Sequence, residues 1–315
     1  MRSTSRDTTD LLRSAGGLLL TAGAATLFAR KSAGETWGNF ALLLVLLVPA
    51  ALLYGMAISG AGDSADWRPE SWRSVLLVAG LLLTPLAFLQ FLEVVGADTG
   101  HVLWFAAAFG LTALLAGYGV SRARVRYAAL LAGLALLVAW MIVWGRLLDP
   151  ISGNTFRALL VIAAACLFLI STALRRTGKL GAAEMATAGG VAAVLAGAMG
   201  VLVGGATGIS GSLEPIFTGH PSHRLTSSGM QSFGWDLYLL VVSVALIALG
   251  ARIRSRGMGY VGGLGILTFI LSVSVQITRV EAGKQPTTSL AGWPLALLIL
   301  GALGLIAAAM RGNDA

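Results

Sequence analysis

The chain has 315 residues, 57% of them hydrophobic and only 11% charged, with a mean hydropathy of +0.83. A soluble domain carries roughly 25% charged residues, so this composition excludes one and specifies an all-α, polytopic integral membrane helix bundle. The formal charge of +8 sits in short loops between apolar runs, so it reports topology and anionic lipid at the cytoplasmic face; no nucleic acid partner is expected.

The first 13 residues are polar and mixed in charge, and Asp7 and Asp10 spoil the positive start that a cleavable signal peptide needs. Apolar runs then cover 14–29, 38–59, 75–95, 102–120, 127–145, 157–174, 185–205, 236–251, 258–278 and 290–310. Each approaches the roughly 17 to 25 residues of a membrane crossing, which predicts about ten helices. If the N-terminus is cytoplasmic, fifteen Lys and Arg fall on the cytoplasmic side and seven opposite. The positive-inside rule therefore predicts that both termini are cytoplasmic and that residues 206–235 lie on the outer face.

One pattern occurs twice. Arg122, Arg124 and Arg126 precede Tyr127, an apolar run and Arg146; Arg252, Arg254 and Arg256 precede Tyr260, an apolar run and Arg279. Tyrosine and terminal arginine are 19 residues apart in both copies, roughly 28 Å of helix and close to the bilayer thickness. The copies start four helices apart and so run in the same direction, which predicts a parallel internal repeat of helices 4–6 and 8–10. The expected organisation is a two-helix addition over 1–60, a first half over 61–181 (helices 3–6) and a second half over 182–315 (helices 7–10).

In a membrane the informative ionisable residues are deep ones, because charge there is costly. Glu93, Arg146, Arg157, Asp236 and Arg279 all fall near the outer ends of their helices. Arg146 and Arg279, with Glu93, Asp149 and Glu281 as carboxylates at the same level, form a candidate outer vestibule for an anionic ligand; snorkelling to headgroups with local ion pairs is the plainer reading. Gln90 and Gln276 are candidate linings of a pathway, and Pro85, after Thr84, predicts a break in the hydrogen bonding of helix 3. Thr84, Gln90, Thr112, Ser171, Ser243, Thr268, Ser272 and Gln276 are mild groups expected to bond to backbone or to a neighbouring helix. Helix 7 is rich in glycine, which predicts close packing at the centre of the bundle.

The long outer stretch holds Glu214, His220 and His223 and ends beside Asp236. Two histidines and a carboxylate can ligate a metal, but Pro221 between the histidines disfavours a regular ligating turn, so no metal and no cofactor is assigned. A lid and a plain loop are the other readings. Residues 63–74 repeat Trp-Arg at Trp67–Arg68 and Trp72–Arg73, either interface anchors or a docking site for a protein partner. The single cysteine, Cys166, lies in an apolar run and excludes an intrachain disulfide. No P-loop, nucleophile elbow or zincin helix is present, and the sequence leans away from an enzyme. The leading expectation is a small-solute or lipid transporter or permease subunit. The alternatives are a non-catalytic subunit or scaffold that binds proteins or lipids, and an enzyme on a lipid-linked substrate at the outer face.

Overall fold

Without water to satisfy them, backbone N–H and C=O groups in hydrocarbon must bond within their own segment, and apolar runs of this length become helices. A computed structural model of the chain describes residues 2–34, 37–59, 71–148, 152–205, 233–253 and 255–281. All the regular structure in them is helical: α1 (Arg2–Ala33), α2 (Asn39–Ile58), α3 (Ser71–Val94), α4 (Val102–Ala123), α5 (Arg126–Leu147), α6 (Gly153–Arg176), α7 (Ala182–Gly205), α8 (Phe233–Ile253) and α9 (Arg256–Glu281). Eight of these nine described helices, α1 to α8, are long and apolar enough to cross a membrane. The expected helical membrane bundle is therefore present, with helices over the first nine apolar runs. The tenth run, 290–310, lies outside the described residues.

Sequential helices pack as hairpins. The broadest contacts join α2 to α3, α4 to α5, α6 to α7 and α8 to α9. α7 sits at the centre of the second half of the chain and touches α5, α6, α8 and α9, whereas α1 lies at the edge against α2 and α3. Side chains such as Leu47, Leu82, Leu114, Leu169 and Leu267 point outward and are exposed. Exposure on this scale would aggregate a soluble protein, and here it is the surface offered to lipid tails.

Lipid tails are as apolar as leucine, so helices associate in a bilayer through close packing and hydrogen bonds. Two glycines show how close. A Cβ on Gly80 of α3 would fall 3.1 Å from both the Ala50 carbonyl oxygen and the Tyr54 nitrogen of α2, and 3.4 Å from Leu53 Cβ. A Cβ on Gly189 of α7 would fall 3.3 Å from the Ala164 carbonyl oxygen and from Leu167 Cβ, and 3.4 Å from the Phe168 ring of α6. In both crossings a glycine lies over an alanine, a leucine and an aromatic residue at positions i, i+3 and i+4. Between α8 and α9 the approach is closer still: a Cβ on Gly262 would fall 2.6 Å from the Ser243 carbonyl oxygen.

Hydrogen bonds tie the helices further. Tyr54 donates to the Leu115 carbonyl at 2.8 Å, Trp140 Nε1 to the Leu159 carbonyl at 3.1 Å and Ser171 to the Ala182 carbonyl at 2.6 Å. α1 is held at its N-terminal half by a stack: the Arg13 guanidinium lies 4.8 Å and that of Arg73 4.9 Å from the ring centroid of Trp72. Trp72 is buried and Arg73 donates to the Ser59 carbonyl. This half of the repeated Trp-Arg pair is thus occupied within the protein, while Trp67 and Arg68 lie outside the described residues.

Gly80→Val should lower stability by about 1–3 kcal/mol, because its added carbons meet backbone that cannot swing aside. Gly55→Ala, at a site with nothing within 4 Å, should be neutral or mildly stabilising. SDS or thermal unfolding of the purified protein in micelles measures both.

Candidate functional site

The one fully buried charged side chain among the described residues is Arg157, at 0% exposure. α6 begins where Ser152 caps it, its hydroxyl oxygen accepting from the Thr155 N–H at 3.1 Å. Arg157 lies four residues beyond Gly153, about 6 Å along the axis and one turn inside the helix. A guanidinium removed from water there needs compensation, because burying an uncompensated charge is very costly.

Two helices supply it. Trp235, near the start of α8, lies with its ring centroid 4.8 Å from the Arg157 guanidinium carbon, within cation–π range. The next residue, Asp236, is buried at 7% exposure and interacts electrostatically with Arg157. Its Oδ1 accepts a hydrogen bond of 2.9 Å from the Ser272 hydroxyl of α9, itself buried. Tyr238 packs edge-on against Trp235, with ring centroids 5.3 Å apart and planes at 75°, a favoured aromatic geometry. Cation, ring, carboxylate and hydroxyl thus join α6, α8 and α9.

Chemically this arrangement holds itself together. The aspartate accepts from Ser272 and offsets the arginine charge, and the tryptophan face covers the guanidinium. Among the described residues no group of three His, Cys, Asp and Glu side chains is placed to hold a metal. Glu214, His220 and His223 lie outside the described residues.

The other sequence candidates are dispersed. Gln90 is buried, and its Nε2 donates to the Asn39 carbonyl of α2 at 3.3 Å, so it ties two helices together. Glu93 is exposed near the end of α3, and Arg146 is exposed near the end of α5. Pro85 is half-buried inside α3, beside an apolar groove. Gln276 and Arg279 belong to the described backbone of α9, but their side chains lie outside the described residues. Of the candidates whose side chains are described, Asp236 alone enters the cluster with Arg157, Trp235 and Ser272.

Arg157 and Ser272 were legible as residues but not as a site. Arg157 reads in sequence as one more arginine at a helix end, free to snorkel; the structure instead buries it beneath Trp235. The available signal was depth: it stands a full turn inside α6, with Asp236 at a comparable depth in α8. Ser272 was expected to bond to backbone or to a neighbouring helix. It donates to a carboxylate of the neighbouring α8, whereas Thr84, Thr112, Ser243 and Thr268 bond to carbonyls of their own helices.

Arg157→Leu and Asp236→Leu should each cost about 3–5 kcal/mol, since each leaves one buried charge without its counterpart, and the double variant should cost less than either single. A double-mutant cycle by SDS unfolding reads the coupling. In comparisons with known proteins the chain matches no family model, no curated protein and no solved structure.

Proposed function

We propose that this protein is a rigid, non-catalytic membrane subunit or scaffold that binds partner proteins or lipids. The observation that carries this reading is the seam between the two halves of the chain. A Cβ on Gly133 of α5 would fall 2.5 Å from Ala188 Cβ and 3.1 Å from the Met185 sulfur of α7. At one end of the same seam, a Cβ on Gly181 would fall 2.5 Å from Ala129 Cβ. Ala128, Ala129, Ala132, Met185 and Ala188 are all buried.

Transporters built from repeats rock one bundle against the other and admit water along the interface. A seam closed by glycine and alanine in direct contact favours a fixed body. The buried cluster at Arg157 adds to this rigidity, because a desolvated charge network resists separation of α6, α8 and α9. The small-solute or lipid transporter is the alternative, and wetting of the seam is the behaviour that would favour it.

The same reading takes the chain as a parallel duplication. Its support is the shared spacing from Tyr127 to Arg146 and from Tyr260 to Arg279, together with the matched crossings at Gly80 and Gly189. The matched crossings bring α2 into the first unit, opposite α6. The units are then α2–α5 and α6–α9, and α1 alone is the addition, in place of a two-helix addition over 1–60. The arginine-rich turns after α4 and α8 belong on the cytoplasmic side.

Substituted cysteines test the seam. In a Cys166→Ser background, Ala132→Cys and Ala188→Cys in proteoliposomes should resist a water-soluble methanethiosulfonate applied from either side and react fully once SDS unfolds the protein. Ser121→Cys, at an exposed helix end, should react throughout. Labelling of either seam cysteine in the folded protein would sink the scaffold reading and favour a transport pathway.

A further inference from the structure

A groove opens between α3, α4 and α5 beside Pro85, which lies inside the continuous α3. Proline offers no N–H to the carbonyl of Leu81, and its ring crowds the preceding turn. The groove has a volume of about 300 Å³, with Leu82, Pro85 and Leu86 on one side and Phe109, Leu134 and Val138 on the other. Leu82 and Leu86 are exposed, so its rim faces the bilayer.

The α5 wall leads from the groove to charge. Tyr127, Leu131, Leu134 and Val138 follow at helical intervals and share one face. Tyr127 is exposed and stands one turn before the groove. The turn beneath it carries Arg122, Arg124 and Arg126, of which Arg122 and Arg126 are exposed. From Arg126 to Leu131 is about 8 Å along the axis, and from Leu131 to Val138 about 10 Å more.

We propose that this groove holds an acyl chain of an anionic phospholipid from the leaflet that meets the α4–α5 turn, with its phosphate at Arg122 and Arg126 and Tyr127 at headgroup level. The volume suits the chain: if a methylene fills about as much space as a water, roughly 30 Å³, the groove takes roughly ten carbons. An apolar groove cannot select among lipids by itself, because every tail is equally apolar. Selection comes from the mouth, where guanidinium groups pair with phosphate and tyrosine favours the headgroup layer. Only the conjunction of groove, tyrosine and arginines along one hairpin gives a site for one lipid class. The site rests on its own geometry and does not require the scaffold reading.

Phosphatidylglycerol carrying a mid-chain diazirine, incorporated with the full-length protein into phosphatidylcholine vesicles, tests it by peptide mapping of the photoadducts. Adducts should concentrate on residues 82–86 and 131–138. Unlabelled phosphatidylglycerol should displace them about tenfold better than added phosphatidylcholine, and Arg122→Gln with Arg126→Gln should erase that preference. Val138→Trp should block the groove and abolish the adducts in protein that still elutes as a folded species; Leu86→Trp, on the more exposed wall, does the same if Val138→Trp fails to fold. Adducts spread evenly over lipid-facing residues, or equal displacement by the two lipids, would overturn the proposal. So would persistence of the adducts in the blocked variants, which would leave only a surface attraction to the arginines.

Discussion

The bundle depends on how closely its helices approach, because the bilayer removes the usual reason for apolar surfaces to meet. A leucine gains little by leaving lipid for protein, so stability has to come from contacts that lipid cannot make. At Gly80, Gly189 and Gly262 a helix comes within about van der Waals reach of its neighbour's backbone, and the larger side chains nearby interlock around that point. These glycines explain the architecture: broad hairpin contacts, α7 at the centre, and α1 at the margin, held there by the stack of Arg13 on Trp72.

Against this apolar background the cluster at Arg157 stands apart. If the crossings of α2 with α3 and of α6 with α7 are put in one register, Ala50 meets Ala164 and Arg157 takes the place of Leu43, which is buried at 5% exposure. The first crossing fills that position with leucine and the second with a guanidinium that has to be compensated by two further helices. Replacing a buried ion pair by well-packed apolar residues is often neutral or stabilising, so stability alone does not require the charged version. What the charges add is definition: Asp236 has to face both Arg157 and Ser272, which sets the rotation of α8 relative to α6 and α9.

Pro85 links the two themes. It weakens the backbone bonding of α3 and opens an apolar recess toward lipid, yet Gly80, a little over one turn earlier, is locked against α2. The recess is therefore bounded by a helix that is firmly seated, and it keeps its shape. Two conditions for recognising one lipid, a formed cavity and a charged mouth, then arise from neighbouring turns of the same helices.

Composition and the length of the apolar runs determined the class of the protein and the position of each described helix, because a bilayer allows a chain of this composition few forms other than helices of about its own thickness. The spacing of arginine and tyrosine marked helix ends, and the glycines of helix 7 marked its central place. Depth along a helix was also legible, since rise per residue is fixed. Rotation about the axis was not legible for α2, α3, α5, α7 and α8, which are apolar all round and carry no stripe to say which face meets protein and which meets lipid. In sequence Arg157 differed from Arg146 only by about one turn of depth, whereas tertiary packing buries the first beneath Trp235 and leaves the second exposed. The lack of a stripe left Gln90 open as a pathway lining beside the plainer packing reading, and the structure makes it a tie between helices. The sequence decided where the chain crosses the membrane, and only the packing of helices against one another decided which polar groups face each other inside it.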